Sequence, residues 1–469
     1  MIIAEQGRTI ARLEGVISGL MKRVQELEAR LAQNSSNSSM PPSSDPPGAP
    51  PAQSKGPTGR RRGGQPGHKK HERVLLPPEQ VSETTDLKPK GCRRCGKRLF
   101  GCDRDPHRHQ VVDIPRVIAK VVEFRLHSLF CEDCKITTQA ALPPGVPTTP
   151  FGPRLQAMMA VCAGSYHLSK RMIEELVSDF FGVEVSLGSV SNLEQDTSEA
   201  LAEPVREAAA HIQQQPVVHA DETGWTEAKK KAWLWAAVAG NVAVFLIRQS
   251  RGKAVAKELL GSLFSGILNS DRWCGYNWVK TRRRQLCWAH LIRHFIAFEN
   301  HGSEAKELGL ALQHQCALMF DYWDRVRDGT LMVSSFREYV RPIRREIIDL
   351  LRRGSACSSA KVAGMCREIL SLGGALFTFV RVVGVDPTNN AAERAVRPAV
   401  LWRKGSFGTD SAKGSRFVER ILTVVTTLRL QKRNVLDFVT AACEAQRCGS
   451  SAPSLLSNSR CDQPMAMAA

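Results

Sequence analysis

The sequence predicts a multidomain α+β protein, and three observations lead there. Near the N terminus, apolar residues recur at alternating steps of three and four, which is helical spacing. A long stretch rich in Ser, Pro and Gly then separates that segment from everything after it. From residue 213 onward, short apolar runs of strand character give way to a long stretch of helical pattern.

At 469 residues the chain has room for several domains with full cores. Its formal net charge of +19 favours a polyanionic partner such as nucleic acid, with an anionic membrane surface as the second choice. No signal-peptide pattern opens the sequence. The most apolar window, AWLWAAVAGNVAVFLI, contains Gly240 and Asn241 and is too short to span a bilayer. The expectation is a cytoplasmic, nucleoid-associated protein with no membrane partner. Fourteen cysteines in that setting point to reduced thiols or metal ligands rather than disulfides.

In residues 1–33, Ile10, Leu13, Ile17, Leu20, Val24, Leu27 and Leu31 form an unbroken apolar seam, weakened by Gly15 and Gly19. It predicts a coiled-coil dimerisation helix, the alternative being one amphipathic helix packed on its own core. Residues 34–75 are a linker that cannot bury enough surface to fold. It ends in the basic arm RRRGGQPGHKKHER, where Arg60, Arg61, Arg62, Lys69 and Lys70 suit phosphate tracking and the glycines allow close backbone approach.

Residues 76–146 hold two CxxC knuckles, Cys92 with Cys95 and Cys131 with Cys134. They supply four thiolates for one structural Zn²⁺, a redox dithiol being the alternative; Cys102 is a bystander. The intervening HQVVDIPRVIAKVVEFRLHSLF alternates like a β-hairpin that would bring the knuckles together. Residues 147–212 read as helices with a break from Gly182 to Ser186, and Ser186 or Ser189 caps the next helix. This suits a helix-turn-helix DNA-binding segment, and two ordinary packed helices suit it equally.

Residues 213–297 give strands PVVHAD, AWLWAAVAG and VAVFLI, helix AVAKELLGSL and strand GILNSD, the order of an RNase H-like catalytic core. An all-helical insertion fills 298–383, C-terminal helices of the core 384–440, and a tail 441–469. Asp221 closes the first strand and Asp271 the fourth, and these strands are neighbours in such a sheet. Glu393, at a helix start in DPTNNAAERAVRP, offers a third acid. Three carboxylates can hold two Mg²⁺ ions, or Mn²⁺ in their place, which offsets the cost of charge beside a buried strand. Alternation alone does not separate Asp221 from Glu222.

The segments HADETGW, SDRWCGY, CWAHLIRHF and NNAAERAVRP followed by RKGSFGT, with NSSNSSMPPSSD, GGQPGH and the paired knuckles, resemble the insertion sequence 66 family of DDE transposases over roughly residues 10 to 435. The resemblance implies a catalytic triad of Asp221, Asp271 and Glu393, with Asp221 rather than Glu222 as the first acid. It implies nicking at terminal inverted repeats, attack of the freed 3′ ends on target DNA, and small accessory transposition proteins as further partners. With the coiled coil, it describes a homo-oligomer of at least two chains. Cys287 and His290 match a Cys-x-x-His element after the second acid. They are read as support for the acid cluster, a zinc site with His294 being the lesser alternative. Arg272, Trp273 and Cys274 depart from the small residues usual after the second acid, and Thr388 stands where the family often has another acid.

Arg282, Arg283 and Arg284 after Asp271, and Arg394, Arg397, Arg403 and Lys404 after Glu393, are candidate DNA contacts around a negatively charged site. Trp225 and Trp273 are read mainly as core, with stacking on an unpaired base as the sharper alternative. Two other function classes stay open: a non-catalytic DNA-binding protein derived from a transposase, and an RNase H-like structure-specific nuclease.

Overall fold

The computed structural model describes residues 2–31 and 73–456. Arg60, Arg61, Arg62, Lys69 and Lys70 of the basic arm, most of the expected linker and the tail beyond 456 lie outside the described residues. Among the described residues, 73–120 belong to one compact unit, and 2–31 with 121–456 to another.

Within the smaller unit, the described residues hold a single 3₁₀ turn at Pro78–Gln80 and an antiparallel bridge between Gly91 and Arg98 that closes the Cys92–Cys95 turn. Gln110 and Arg108 donate to the Leu76 carbonyl at 2.9 and 2.7 Å and tie its start to its end.

The larger unit opens with helix α1 (Ile2–Leu31), whose seam residues Ile10, Leu13, Ile17, Leu20, Val24, Leu27 and Leu31 are all exposed. A two-stranded antiparallel ribbon, β1 (Ser128–Phe130) and β2 (Thr137–Gln139), encloses Cys131–Cys134. This corrects the expected hairpin. Of the alternating stretch from 109 to 130, only the last three residues join a strand, as β1; residues 109–127 form none, and Val111, Ile114, Ile118 and Val121 are exposed. Alternation fixes which face a strand would bury, but a strand also needs a ladder partner.

Four helices follow: α2 (Pro153–Tyr166), α3 (Lys170–Phe181), α4 (Leu187–Ala200) and α5 (Ala202–Gln213). Gly182 ends α3 with a left-handed φ of 63°, and the Ser186 hydroxyl accepts the Ser189 N–H to start α4. The sheet comes next, from β3 (Val217–Glu227), β4 (Lys230–Ala239), β5 (Val242–Arg248), helix α6 (Lys253–Leu260), β6 (Ile267–Ser270) and β7 (Arg284–Leu286). Its order is β5-β4-β3-β6-β7, antiparallel among the first three strands and parallel from β3 to β7.

Helix α7 (Trp288–Ala297) leads into α8 (Ser303–Arg327), α9 (Val333–Gly354), α10 (Ala360–Ser371) and the short α11 (Thr378–Arg381). The chain then returns through α12 (Asn390–Ser406), α13 (Ala412–Leu430) and α14 (Val435–Cys448). The result is a mixed α+β unit.

Both faces of the sheet are covered, as β4 shows. Ala232, Leu234, Ala236 and Val238 pack beneath α12 and α13, whereas Trp235, Ala237 and Ala239 face the core shared with α2 to α5. The helices from α8 to α11 build a separate core with Leu286, Trp288, Leu291 and Phe295. The outer edge of β5 is closed by α13: Glu419, Thr423 and Thr427, spaced four apart, accept the N–H groups of Ile247, Phe245 and Ala243. One turn of helix per pair of strand residues thus satisfies donors that would otherwise recruit another strand.

Candidate active site

The three parallel strands bring distant residues to one level. His219 pairs with Asn269 and Asn269 with Gln285, so two residues further on Asp221, Asp271 and Cys287 stand side by side across β3, β6 and β7. Neighbouring strands are about 4.8 Å apart. Asp221 does not close its strand as expected. β3 runs on to Glu227 as a hairpin with β4, and Asp221 lies where pairing with β6 has stopped.

Parity resolves the Asp221–Glu222 ambiguity. Val218 and Ala220 face the α2–α5 core, and Glu222 follows them there. Its carboxylate accepts Tyr276 Oη–H at 2.6 Å and Arg251 Nη2–H at 2.8 Å. Burial first, then Asp271, pushes the Glu222 carboxyl up to about 7. Asp221 shares the other face with His219, Thr223 and Trp225, beneath α12. Burial holds its carboxyl well above the usual range, reinforced by Glu222, Asp271 and Glu393.

Glu393 sits in the first turn of α12, and Asn389 docks that turn. The Asn389 amide donates to the Ala220 carbonyl at 2.8 Å, its Oδ1 meets His219 Nδ1 at 3.3 Å, and its backbone N–H reaches Cys287 Sγ at 3.2 Å. Asn269 donates to the carbonyls of Asp386 and Thr388 at 2.7 and 3.1 Å, so the segment before α12 is stitched to β6. Asp271 Oδ1 accepts the Trp273 N–H at 2.8 Å, and Trp273 lies under the Arg251 guanidinium, 3.9 Å from its ring centre. Asp271, at the end of β6, and Glu393, on α12, are therefore close enough to Asp221 on β3 to raise the pKa of its carboxyl. Oxygen donors in that arrangement suit hard divalent cations, whose charge would relieve the repulsion seen at Asp221. Among the described residues, however, Asp221, Asp271 and Glu393 do not bring one oxygen each within 4.8 Å of one another.

Beside them, Cys287, His290 and Glu393 place one ligand atom each within 4.8 Å of one another. Burial lowers the His290 pKa and lifts the Cys287 thiol to about 12. His294 does not join this set. Arg272 Nη2 lies 3.1 Å from its Nε2, and burial with that cation holds the ring to about 3.

The two knuckles share one backbone design. Cys92 N–H donates to Lys97 O and Gly96 N–H to Cys92 O; Cys131 N–H donates to Ile136 O and Lys135 N–H to Cys131 O. The fifth residue of each turn, Gly96 or Lys135, has positive φ. The thiols of Cys92 and Cys131 are both drawn below their ordinary value, chiefly by the N–H groups of Cys95 and Cys134. Such turns present a thiolate to a metal.

The candidate DNA contacts divide. Arg282, Arg283, Arg394, Arg397 and Lys404 are exposed, the last three along one face of α12. Arg284 is a correction: it is 0% exposed and donates to Asn277 Oδ1 at 2.8 Å and the Asp271 carbonyl at 3.0 Å, inside the strand end that carries Asp271. Arg403 is another. Its half-buried guanidinium donates to Thr223 Oγ1 at 3.1 Å and to the Gly224 carbonyl, bracing α12 on β3. Trp225 is core, its indole N–H donating to Thr409 Oγ1. Sequence reasoning missed the roles of Arg251, Tyr276, Asn269 and Asn389. A buried Glu222 on the face opposite Asp221 requires a cation or donor, and Arg251, just past the third strand, supplies it.

Residues 148–416 match the Transposase IS66 family, and residues 2–74 match a family of unknown function, DUF6444. The chain is similar to two proteins of Sinorhizobium fredii. One, the uncharacterized protein y4qI, is 28% identical over 237 residues, 45% of this chain and 43% of that relative. The other, the uncharacterized protein y4hP, is 22% identical over 395 residues, 76% of this chain and 69% of that relative. The matched region thus spans less than half of the first relative. No helix among the described residues is long and apolar enough to cross a membrane. With the family match covering more than half of its length, the chain belongs to the IS66 family of transposases.

Proposed function

We propose that this protein is the DNA transposase of an insertion sequence, binding terminal inverted repeats and carrying out strand cleavage and strand transfer. The observation that carries the reading is the convergence of Asp221, Asp271 and Glu393 from three separate elements onto one sheet end. In this reading the three carboxylates are the ligands of two Mg²⁺ ions, which would activate the attacking oxygen and stabilise the leaving one. Asn389, Asn269 and Arg284 hold the acids in place, and exposed Arg282, Arg283, Arg394, Arg397 and Lys404 receive the DNA backbone.

The rest of the chain takes supporting roles. The exposed seam of α1 suits a coiled-coil dimer, and each of the matching knuckles supplies thiolates suited to structural Zn²⁺. The α3–α4 pair contributes to end recognition as a helix-turn-helix, and the catalytic core is RNase H-like with α8 to α11 as its insertion. Accessory transposition proteins complete the partner set, and the working compartment is the cytoplasm.

The test is Mg²⁺-dependent cleavage of a duplex carrying the element's end, with Asp221→Asn as the control. Cleavage and joining by the wild type, lost in the variant, are expected. Equal activity in both would remove the mechanism. Binding without cleavage would favour a non-catalytic DNA-binding derivative, and cutting of branched or hybrid substrates without end preference a structure-specific nuclease.

A further inference from the structure

Next to the three carboxylates the structure gathers a donor set that hard-cation chemistry does not need. Cys287 Sγ is 3.7 Å and His290 Nδ1 3.5 Å from the same oxygen, Glu393 Oε1. A tetrahedral zinc ion, with bonds of about 2.3 Å to sulfur and about 2.0–2.2 Å to nitrogen and oxygen, has corners roughly 3.3–3.6 Å apart. The two separations from Glu393 Oε1 stand near that spacing, and one ligand atom from each of the three residues lies within 4.8 Å of the others.

Two further observations point to a ligand. His290 Nδ1 is buried and makes no hydrogen bond, a costly state for a ring nitrogen that nothing coordinates. Cys287 occupies the N-cap position of α7, and the Asn389 backbone N–H donates to its buried sulfur at 3.2 Å, a contact that would support a metal-bound thiolate.

We propose that Cys287, His290 and Glu393 form a binding site for a thiophilic divalent cation of the zinc class. On binding, the thiol releases its proton to solvent, so thiolate and carboxylate balance the two positive charges while the imidazole stays neutral. The fourth corner is left to water or to an incoming oxygen ligand. The binding itself is independent of the transposase reading. Its consequence rests on that reading: a cation here draws Glu393 Oε1 toward Cys287 and His290, away from the pair shared with Asp221 and Asp271. A zinc-class ion therefore restrains the Mg²⁺-dependent reaction.

The full chain, stripped of metal, is titrated with Co²⁺ alone and followed by its visible bands and the sulfur-to-cobalt charge transfer. Wild type is expected to bind one more Co²⁺ per chain than Cys287→Ser or His290→Gln, whereas Cys92→Ser loses a spectroscopically different, sulfur-rich site. Circular dichroism melts check folding; should Cys287→Ser fail to fold, His290→Gln, which keeps the ring's volume roughly, decides. Identical stoichiometry and spectra in wild type and His290→Gln would overturn the site. In cleavage assays, added Zn²⁺ is expected to lower the wild-type rate at least tenfold relative to Mg²⁺ alone. Each variant, compared with its own Mg²⁺ rate, should lose that sensitivity. A wild type that lacks the additional Co²⁺ signal yet keeps Asp221-dependent cleavage sinks this site and leaves the transposase reading standing, and the converse result does the opposite.

Discussion

Arg284→Ala should cost far more stability than the same change at its two neighbours, although all three arginines read alike in the sequence. Arg284 is fully buried, and its loss strips donors from Asn277 Oδ1 and the Asp271 carbonyl, held at 2.8 and 3.0 Å. Removing a buried hydrogen bond to a charged group costs about 1.5–3 kcal/mol. Two such losses total about 3–6 kcal/mol, and relief from burying a guanidinium offsets part of that. A net loss of about 3 kcal/mol lowers the melting midpoint by roughly 6–12 °C in a 150–250-residue domain, and by less in a larger unit. Arg282→Ala and Arg283→Ala alter exposed side chains of a 3₁₀ turn and should stay within about 0.5 kcal/mol of wild type. Thermal unfolding followed by near-ultraviolet circular dichroism in metal-free buffer compares the three side by side. Should Arg284→Ala melt with the wild type while Arg283→Ala falls, the placement of the guanidinium inside the Asp271 strand end is wrong.

Other consequences are as open to measurement. Glu222 has its pKa raised from 4.5 to about 7 in the fold, so the native state holds this proton more tightly than the unfolded chain. Its stabilising contribution is full below about pH 4.5 and is lost as pH rises through about 7, by on the order of 3 kcal/mol. Glu222→Gln should flatten that slope in metal-free denaturant titrations between those limits. Asn389→Ala removes the donor to Ala220 O and the partner of His219; about 1–3 kcal/mol of stability should go. The Mg²⁺ concentration for half-maximal cleavage should rise with it, which cleavage titrations at several Mg²⁺ levels would read. Arg394→Ala, Arg397→Ala and Lys404→Ala should each weaken duplex binding regardless of sequence and reduce the log–log salt slope by about 0.9. Fluorescence anisotropy at graded salt measures this, and an unchanged slope would take that face of α12 out of the DNA path.

The order of strands and helices was legible because each apolar run is long enough to declare its period, as in AWLWAAVAG and VAVFLI. The site was legible as residue types, not as an arrangement. Alternation told Asp221 from Glu222 only once α12 was seen to cover the odd-numbered face of β3. The strand end was misplaced because Gly224 masks a segment whose Thr223, Trp225 and Thr226 are good strand formers. The stretch from 109 to 127 misled for the reverse reason, a strand-like pattern with no ladder partner among the described residues. A run of three arginines reads as surface charge, yet Arg284 already lies in β7 and turns inward with that strand. Partners such as Arg251 to Glu222 join residues whose proximity depends on the whole sheet, so no local window contains them.

The excursion through α8 to α11 leaves at Trp288 and comes back at Pro387, where the Trp288 N–H meets the Pro387 carbonyl at 3.0 Å. A detour whose two ends are pinned together imposes no reach on what lies between them, and lengthening it raises the closure entropy only logarithmically. That portion of the polypeptide is therefore a modular cassette: trimmed, enlarged or exchanged, it leaves the spacing of Asp271 and Glu393 to the clasp rather than to its own size.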